Sequence, residues 1–394
     1  MHPYKYSDEA RSYAVRALIS EVNDEDGLDW VTSFEDNFLA ISKQNYAVAV
    51  NSGTSGLHIA LMALGVGLGD EVISPALTVI MDALATVYVG ATPVFADVLP
   101  DTWNIDPDSV EALITAKTRA IISVSWLGLP ADLVRLKKIA SKHGIPLIDD
   151  SAETILMGPY QLNKESEPDI RVFSFESKKH LSTGGEGGMV TTNSPELAKK
   201  LRQAGGLGYK HLSAKKGRTS LAARTFQSPT YERFDSLGFN YRMTPVTAAI
   251  GLGQLVDLPA KLKARLDCAK AFSSSVEGCN WLIPQSVPHG LTHSYYTYGL
   301  VYAGEASRGV SWQDFYDRYA AKGGDGFYAN CINPYLEPIF IGDQIGTQIF
   351  EFGLNPVAER LQKNIMAFKT NYLDMQRLET NAKILSNLID EIGR

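Results

Sequence analysis

The sequence predicts an α/β protein: a mostly parallel sheet with helices on both faces, followed by a smaller C-terminal α+β unit. Three observations carry this. From about residue 45, short β-rich runs alternate with helical ones. The strand candidates are apolar rather than alternating, as strands buried on both faces are. After about residue 258 the regular alternation gives way to a mixed pattern, which sets the expected division at 1–258 and 259–394.

The elements follow in order. Tyr46-Ala-Val-Ala-Val50 reads as a buried strand. Ser55 to Gly65 reads as a helix with Leu57, Leu61 and Leu64 on one face. Further strand candidates are Glu71–Ser74, Pro93–Asp97, Ala120–Val124, Pro146–Asp149, Val172–Phe175 and Met189–Thr192. Asp106-Pro-Asp-Ser-Val opens a helix with good N-terminal residues, and Ala131 to His143 is amphipathic and stops at Gly144, a natural C-terminal cap. Gly205 to Leu237 loses the pattern and reads as a long polar loop carrying Lys210, His211, Lys215, Lys216, Arg218 and Arg224. It is either a solvated surface loop or a cover that meets an anionic substrate. Thr244 to Leu258 and Asp374 to Ile392 read as helices.

Bulk properties exclude several classes. With 394 residues, 45% hydrophobic and 21% charged, the chain has the balance of a globular protein with a large core. A net charge of -7 does not favour nucleic acid or an anionic membrane. No apolar run approaches the roughly 20 residues of a membrane helix, and the N-terminus lacks a secretory pattern. Three cysteines without CxxC spacing fit a reducing cytoplasm rather than a disulfide framework or zinc site. His289 and His293 have HxxxH spacing, but Pro288 and Gly290 argue against a helix that presents both rings to a metal. No metal is expected.

Three clusters could carry chemistry. Asn51-Ser-Gly-Thr-Ser-Gly56 lies between a strand and a helix. Its glycines, hydroxyls and free helix N–H groups suit a phosphate, although Ser and Thr also cap helices for structural reasons alone. Asp149 and Asp150 end an apolar strand, with Glu153 just beyond. A buried carboxylate there needs a cationic partner such as a protonated pyridine nitrogen; a helix cap or a metal ligand is the plainer reading. Ser174-Phe-Glu-Ser-Lys-Lys179 follows another strand, and a glycine-rich turn comes after it. A buried lysine here could form an imine, whereas an exposed one would only solvate the surface. Phosphate cradle, ring-nitrogen carboxylate and imine-forming lysine are together what pyridoxal phosphate (PLP) requires.

In order along the chain stand NSGTSGLHIALMALGVGLGDEVISPALT, GATPVFADV, GLPADL, HGIPLIDDSAE, FSFESKKHLSTGGEGGMV and GFNYRMTPVTAAIGLGQL. This set, from about Phe34 to Leu388, resembles the fold-type I PLP enzymes of the DegT/DnrJ/EryC1/StrS family, the sugar aminotransferases. The resemblance implies that Lys179, five residues after Ser174, holds the cofactor as a Schiff base, with Lys178 as the alternative. It implies that Asp150 pairs with the pyridine nitrogen, that Glu153 stands near the ring, and that Gly53, Thr54 and Ser174 hold the phosphate. Asn240 of the G-x-N-x-R motif would reach the cofactor of a neighbouring subunit, making the enzyme a homodimer with shared sites. Arg242 closes that motif in a structural role.

The resemblance further implies L-glutamate as amino donor and a nucleotide-linked 4-keto-6-deoxy or 3-keto sugar as acceptor, in cytoplasmic synthesis of lipopolysaccharide or other amino-sugar products. On this reading the basic loop and His293 meet the acceptor's phosphates. Departures from the family pattern are Val79 where many members have an aromatic, and Ser125 and Leu127, flanking Trp126, where the family has histidine and tyrosine. Two other readings are a sugar dehydratase of the same family, in which a histidine such as the adjacent His180 replaces the lysine, and a PLP-fold binding protein without turnover.

Overall fold

The computed structural model describes residues 5–23, 29–155, 167–215, 221–341 and 350–394. Helices α1 (Asp8–Asn23) and α2 (Trp30–Ser42) come first. In α2 the Asp29 cap precedes Trp30, Phe34 and Phe38, which recur at helical spacing and are all buried. The alternating region then runs β1 (Tyr46–Val50), α3 (Gly53–Ala63), β2 (Glu71–Pro75), α4 (Met81–Tyr88), β3 (Thr92–Ala96), α5 (Pro107–Leu113), β4 (Thr118–Val124), α6 (Leu133–His143), β5 (Leu147–Asp150), β6 (Ile170–Ser174), β7 (Gly188–Thr192) and α7 (Pro195–Gly205). Every strand anticipated from the sequence in this region forms, with ends shifted by a residue or two. Gly144 closes α6 in the left-handed conformation, at φ 67°.

These strands make one seven-stranded sheet in the order β1-β7-β6-β5-β4-β2-β3. Neighbours from β6 through β3 are parallel, and β7 alone is reversed, antiparallel to both β6 and β1. The sheet is apolar on both faces. One face packs Val48, Ile122, Ile148, Val172 and Val190 against α3 and α7; elsewhere Ile73, Ile121 and Leu147 meet α5 and α6. A buried ion pair ties α7 to α2: Arg202 Nη1 and Nη2 lie 2.9 and 2.7 Å from the two Glu35 oxygens, and Glu35 also accepts the Ala49 N–H.

The expected long loop contains a helical turn, α8 (Ala223–Phe226), and two isolated backbone bridges, Gly206 to Asn240 and Tyr209 to Phe234. Lys216 and Arg218 lie outside the described residues. The next helix, α9 (Pro245–Val276), is twice the length expected and runs through Pro259, so the expected boundary between 258 and 259 falls inside a continuous helix. Beyond it are β8 (Leu282–Pro284), β9 (Thr297–Tyr302), α10 (Gly304–Arg308), α11 (Trp312–Ala321), β10 (Tyr328–Ala329), α12 (Pro356–Gln362), β11 (Ile365–Lys369) and α13 (Met375–Ile392). The four strands form an antiparallel sheet, β10-β11-β9-β8, whose core of Phe272, Trp281, Phe315, Tyr319 and Phe368 is largely aromatic. Among the described residues no helix is long and apolar enough to cross a membrane.

Candidate active site

Three strand ends meet through the register of β7. Its first residue, Gly188, stands opposite Val50 at the end of β1 and opposite Ser174 at the end of β6. In the adjoining pair, Asp150 at the end of β5 stands opposite Val172. The three clusters singled out in the sequence therefore share one edge of the sheet, where ligands of open α/β sheets bind.

The first turn of α3 is built tightly. Ser52 caps it, accepting the Ser55 N–H at 3.1 Å, while Ser55 Oγ reaches back to the Ser52 N–H and to Asn51 Oδ1. Both serines are thus occupied with capping, and the Gly53 and Thr54 N–H groups are left without intrahelical partners, as at any helix start. A Cβ on Gly53 would stand 2.9 Å from Ser174 Cβ, and one on Gly188 would stand 2.7 Å from the Ser52 carbonyl. Glycine at both positions brings Ser174, Gly53 and Thr54 round one small space with free N–H donors and a partial positive charge.

The two acids ending β5 part company because adjacent strand residues point to opposite faces. Asp149 is satisfied by hydroxyls, from Ser123 at 3.1 Å and Ser151 at 2.6 Å, with Arg171 at 3.8 Å. Asp150 faces the other way, buried, and accepts the Ala152 N–H at 2.9 Å. Burial pushes its carboxyl up to about 7, despite the Ala152 N–H and the Lys179 charge. Asp150 is therefore a buried acid whose compensation is incomplete, which suits a cationic ring nitrogen.

Lys178 and Lys179, in the turn that follows β6, are separated too. Lys178 is exposed. Lys179 turns inward: its Nζ lies 3.3 Å from Glu153 Oε1 and 4.2 Å from the centre of the Tyr296 ring. Burial pushes this amine down, but Glu153, Tyr296 and Asp150 outweigh burial and hold it above the usual lysine range. Glu153 is itself fixed by the Leu127 N–H at 2.9 Å on its other oxygen. Leu127 sits at φ 55° in a short turn beside Trp126, so the stretch where the chain departs from the family pattern still serves to orient Glu153.

Tyr296, Arg265 and Asp82 were not singled out from the sequence. Arg265 on α9 is buried; it donates to the Lys178 carbonyl at 2.8 Å and to the Tyr296 carbonyl at 2.7 Å, clamping the lysine loop to the second sheet. Asp82 on α4 lies against Asp150. Its only signal in the sequence is an acid inside the apolar run MDALATVYV. Asn240 is exposed and pairs through its backbone with Gly206. Val79 is half-buried. Arg242 is exposed and bridges Val50 through its backbone.

The reading of His293 as a phosphate contact is corrected. The ring is buried and stacked on Tyr295 at 3.8 Å; Nδ1 accepts the Tyr295 N–H and Nε2 meets Gln285 Oε1. Burial pushes it down to about 3, so it is a neutral core histidine. His289, by contrast, is exposed, and among the described residues no group of three or more His, Cys, Asp or Glu side chains could hold a metal ion.

The residues present fit pyridoxal phosphate: a cradle that a Cβ would fill for the phosphate, an undercompensated acid for the ring nitrogen, and a half-buried amine whose charge acts on that acid. Comparisons with known proteins agree. The model of the DegT/DnrJ/EryC1/StrS aminotransferase family matches residues 7–318. GDP-perosamine synthase of Caulobacter vibrioides is 40% identical over 238 residues, which span 60% of this chain and 59% of that protein. The spore coat polysaccharide biosynthesis protein SpsC of Bacillus subtilis is 33% identical over 316 residues, 79% of this chain and 78% of that protein. A crystal structure of an aminotransferase from Psychrobacter cryohalolentis superposes with a TM-score of 0.86 at 28% identity, covering 98% of both chains.

Fold and site together define a fold-type I pyridoxal-phosphate enzyme. Within that class, the chain belongs to the DegT/DnrJ/EryC1/StrS aminotransferase family.

Proposed function

We propose that this protein transfers the amino group of L-glutamate to the keto carbon of a nucleotide-linked sugar, a 4-keto-6-deoxy or 3-keto sugar. The observation that carries the reading is the inward Lys179 amine held against Glu153, at the sheet edge shared by Asp150 and the glycine-lined helix start. The similarity to GDP-perosamine synthase supports a nucleotide-linked acceptor, and the similarity to a polysaccharide biosynthesis protein supports a glycan pathway, lipopolysaccharide among them.

Pyridoxal phosphate, when bound, supplies a carbonyl for amine exchange and an electron sink for the carbon that loses its proton. The chain's own residues do the rest. Gly53, Thr54 and Ser174 hold the phosphate through N–H and hydroxyl donors. Asp150 keeps the proton on the ring nitrogen. Lys179 would move the proton at the donor's α-carbon as general acid and base. Glu153 and the Tyr296 ring fix where that amine points.

Asn240 serves the site of a second copy, so the working unit is a homodimer. Its exposure, with Leu237 89% exposed and Phe239 43% exposed beside it, supports that reading. The protein acts in the cytoplasm, in two units whose division near residue 258 falls within the continuous helix α9. A lysine at the imine position favours transamination over dehydration, which a histidine would accompany. His180 beside it is buried, Nε2 meeting the Ser294 carbonyl at 3.0 Å, and burial holds it neutral.

The test is the visible absorbance of the purified protein supplied with cofactor, with Lys179→Ala and Lys178→Ala beside the wild type. The wild-type band should bleach with L-glutamate. Lys179→Ala should lose borohydride-fixed attachment and at least about a hundredfold in transamination, the scale of one general acid–base group. Lys178→Ala should keep both. Attachment that survives in Lys179→Ala would move the assignment to Lys178.

A further inference from the structure

We propose that Asp82 is a positioning residue of this site, a neutral acid that donates its proton to the Asp150 carboxylate and so fixes how that carboxylate faces the cofactor's ring nitrogen. This rests on the cofactor reading above and goes beyond it, to a residue outside the three sequence clusters.

The geometry is specific. Asp82 stands on the first turn of α4 with no exposed surface. Its Oδ2 accepts the Thr78 hydroxyl at 3.0 Å, which fixes the rotamer, and its Oδ1 is buried without any donor. Its carboxyl lies within hydrogen-bonding reach of Asp150. Two ionised carboxylates in such contact would repel one another in a medium of low dielectric constant, whereas one shared proton turns the contact into a short charge-assisted bond. An oxygen acceptor with no donor is costly when buried; in the protonated carboxyl the O–H has Asp150 as its partner.

The surroundings favour the shared proton. Burial, Asp150 and Glu153 push the Asp82 carboxyl well up, against the Thr78 hydroxyl. The Lys179 amine is engaged by Glu153, and Arg265, further off, also acts on Glu153. His58 on α3, which packs on α4, turns instead to Tyr241 at 3.1 Å and to the Tyr88 ring. Asp150 has the capacity for every partner: an ionised carboxylate offers about four acceptor positions. One takes the Ala152 N–H, one the Asp82 O–H, and one remains for a ring N–H.

The stability consequence has a definite sign. An acid whose folded-state pKa is raised stabilises the fold below its unfolded value, and that contribution is lost as pH rises through the folded value. The cofactor-free protein should therefore lose thermal stability as pH climbs from the ordinary carboxylate range to about 7, where Asp150 titrates, and go on losing it until Asp82 is forced to ionise.

The experiment compares wild type, Asp82→Asn and Asp82→Ala. It uses equilibrium binding of pyridoxal phosphate, the pH dependence of the bound cofactor's absorbance, and melting temperature against pH without cofactor. Asparagine donates an N–H in place of the O–H, so Asp82→Asn should keep most of the affinity and flatten the alkaline fall in melting temperature. Asp82→Ala should weaken cofactor binding about tenfold or more, the scale of one hydrogen bond to a charged group, and shift the absorbance titration. If Asp82→Ala binds and titrates like wild type, the positioning role is overturned. If Asp82→Asn fails as badly as Asp82→Ala, Asp82 acts as a charged group and the neutral donor is overturned. A wild-type protein that takes up no pyridoxal phosphate overturns the cofactor reading and the role with it; the cofactor-free melting curves report the shared proton independently.

Discussion

Glu153 holds two groups at once, the Lys179 amine at 3.3 Å and the Leu127 N–H at 2.9 Å. That arrangement sets the charge of the amine. Attachment of a carbonyl compound requires the neutral amine, and the Lys179 amine is held above its usual range by Glu153, Tyr296 and Asp150 against burial. Cofactor uptake should therefore accelerate as pH rises toward that range. Replacing Glu153 by Gln removes the anion nearest the amine. The pH profile of uptake should then move to lower pH by on the order of one unit, equal to about 1.4 kcal/mol. Stopped-flow growth of the visible band, wild type beside Glu153→Gln, checks this; coincident profiles would mean that Glu153 orients the amine without setting its charge. At this scale the sequence marked Lys179 and Asp150 by motif spacing. What separates each from its neighbour, Lys178 or Asp149, is direction: one member of each pair turns to the site while the other meets solvent or hydroxyl partners.

Among the elements, β7 does most to assemble the site, because Gly188 pairs with both β1 and β6. A methyl group there would stand 2.7 Å from the Ser52 carbonyl and 2.9 Å from the Gly53 nitrogen. Gly188→Ala should push the start of α3 away from Ser174, at about 1–3 kcal/mol of overpacking, and weaken phosphate binding more than the fold. Denaturant midpoints and inorganic-phosphate affinity measured together would separate these; equal affinity in the variant would remove the cradle from the argument. The strands were legible because fully buried strands leave continuous apolar runs. The reach of α9 was not: a proline following Leu258 reads as a helix end. Packing overrides it, since Leu258 is buried in the core beside α2 and Cys268 and Phe272 are buried in the core of the second sheet. The basic loop, read only from its polarity, gains a helical turn and backbone bridges that its composition did not signal.

In the whole molecule, residues far apart in the chain close the site. Asn333 donates to the Ala76 carbonyl at 2.8 Å, and Tyr335, Phe340 and Phe350 pack on Phe95, joining the C-terminal region to the sheet edge beside Thr78 and Asp82. If Asn240 completes the site of a second copy, mixed dimers of Lys179→Ala and Asn240→Ala subunits contain one fully native site. Co-expression under two affinity tags should then recover activity that neither parent shows alone; no recovery would return Asn240 to its own chain. The sequence by itself determined the parallel sheet, the three clusters and the family they resemble, because apolar runs, glycine spacing and motif order are local. The tertiary structure alone decided how Asp149 and Lys178 are turned away from the residues the motifs marked, that His293 is a neutral core residue, and that Arg265, Tyr296 and Asp82 surround the site. Direction and proximity depend on strand register and on packing between segments distant in sequence, and no local pattern encodes those.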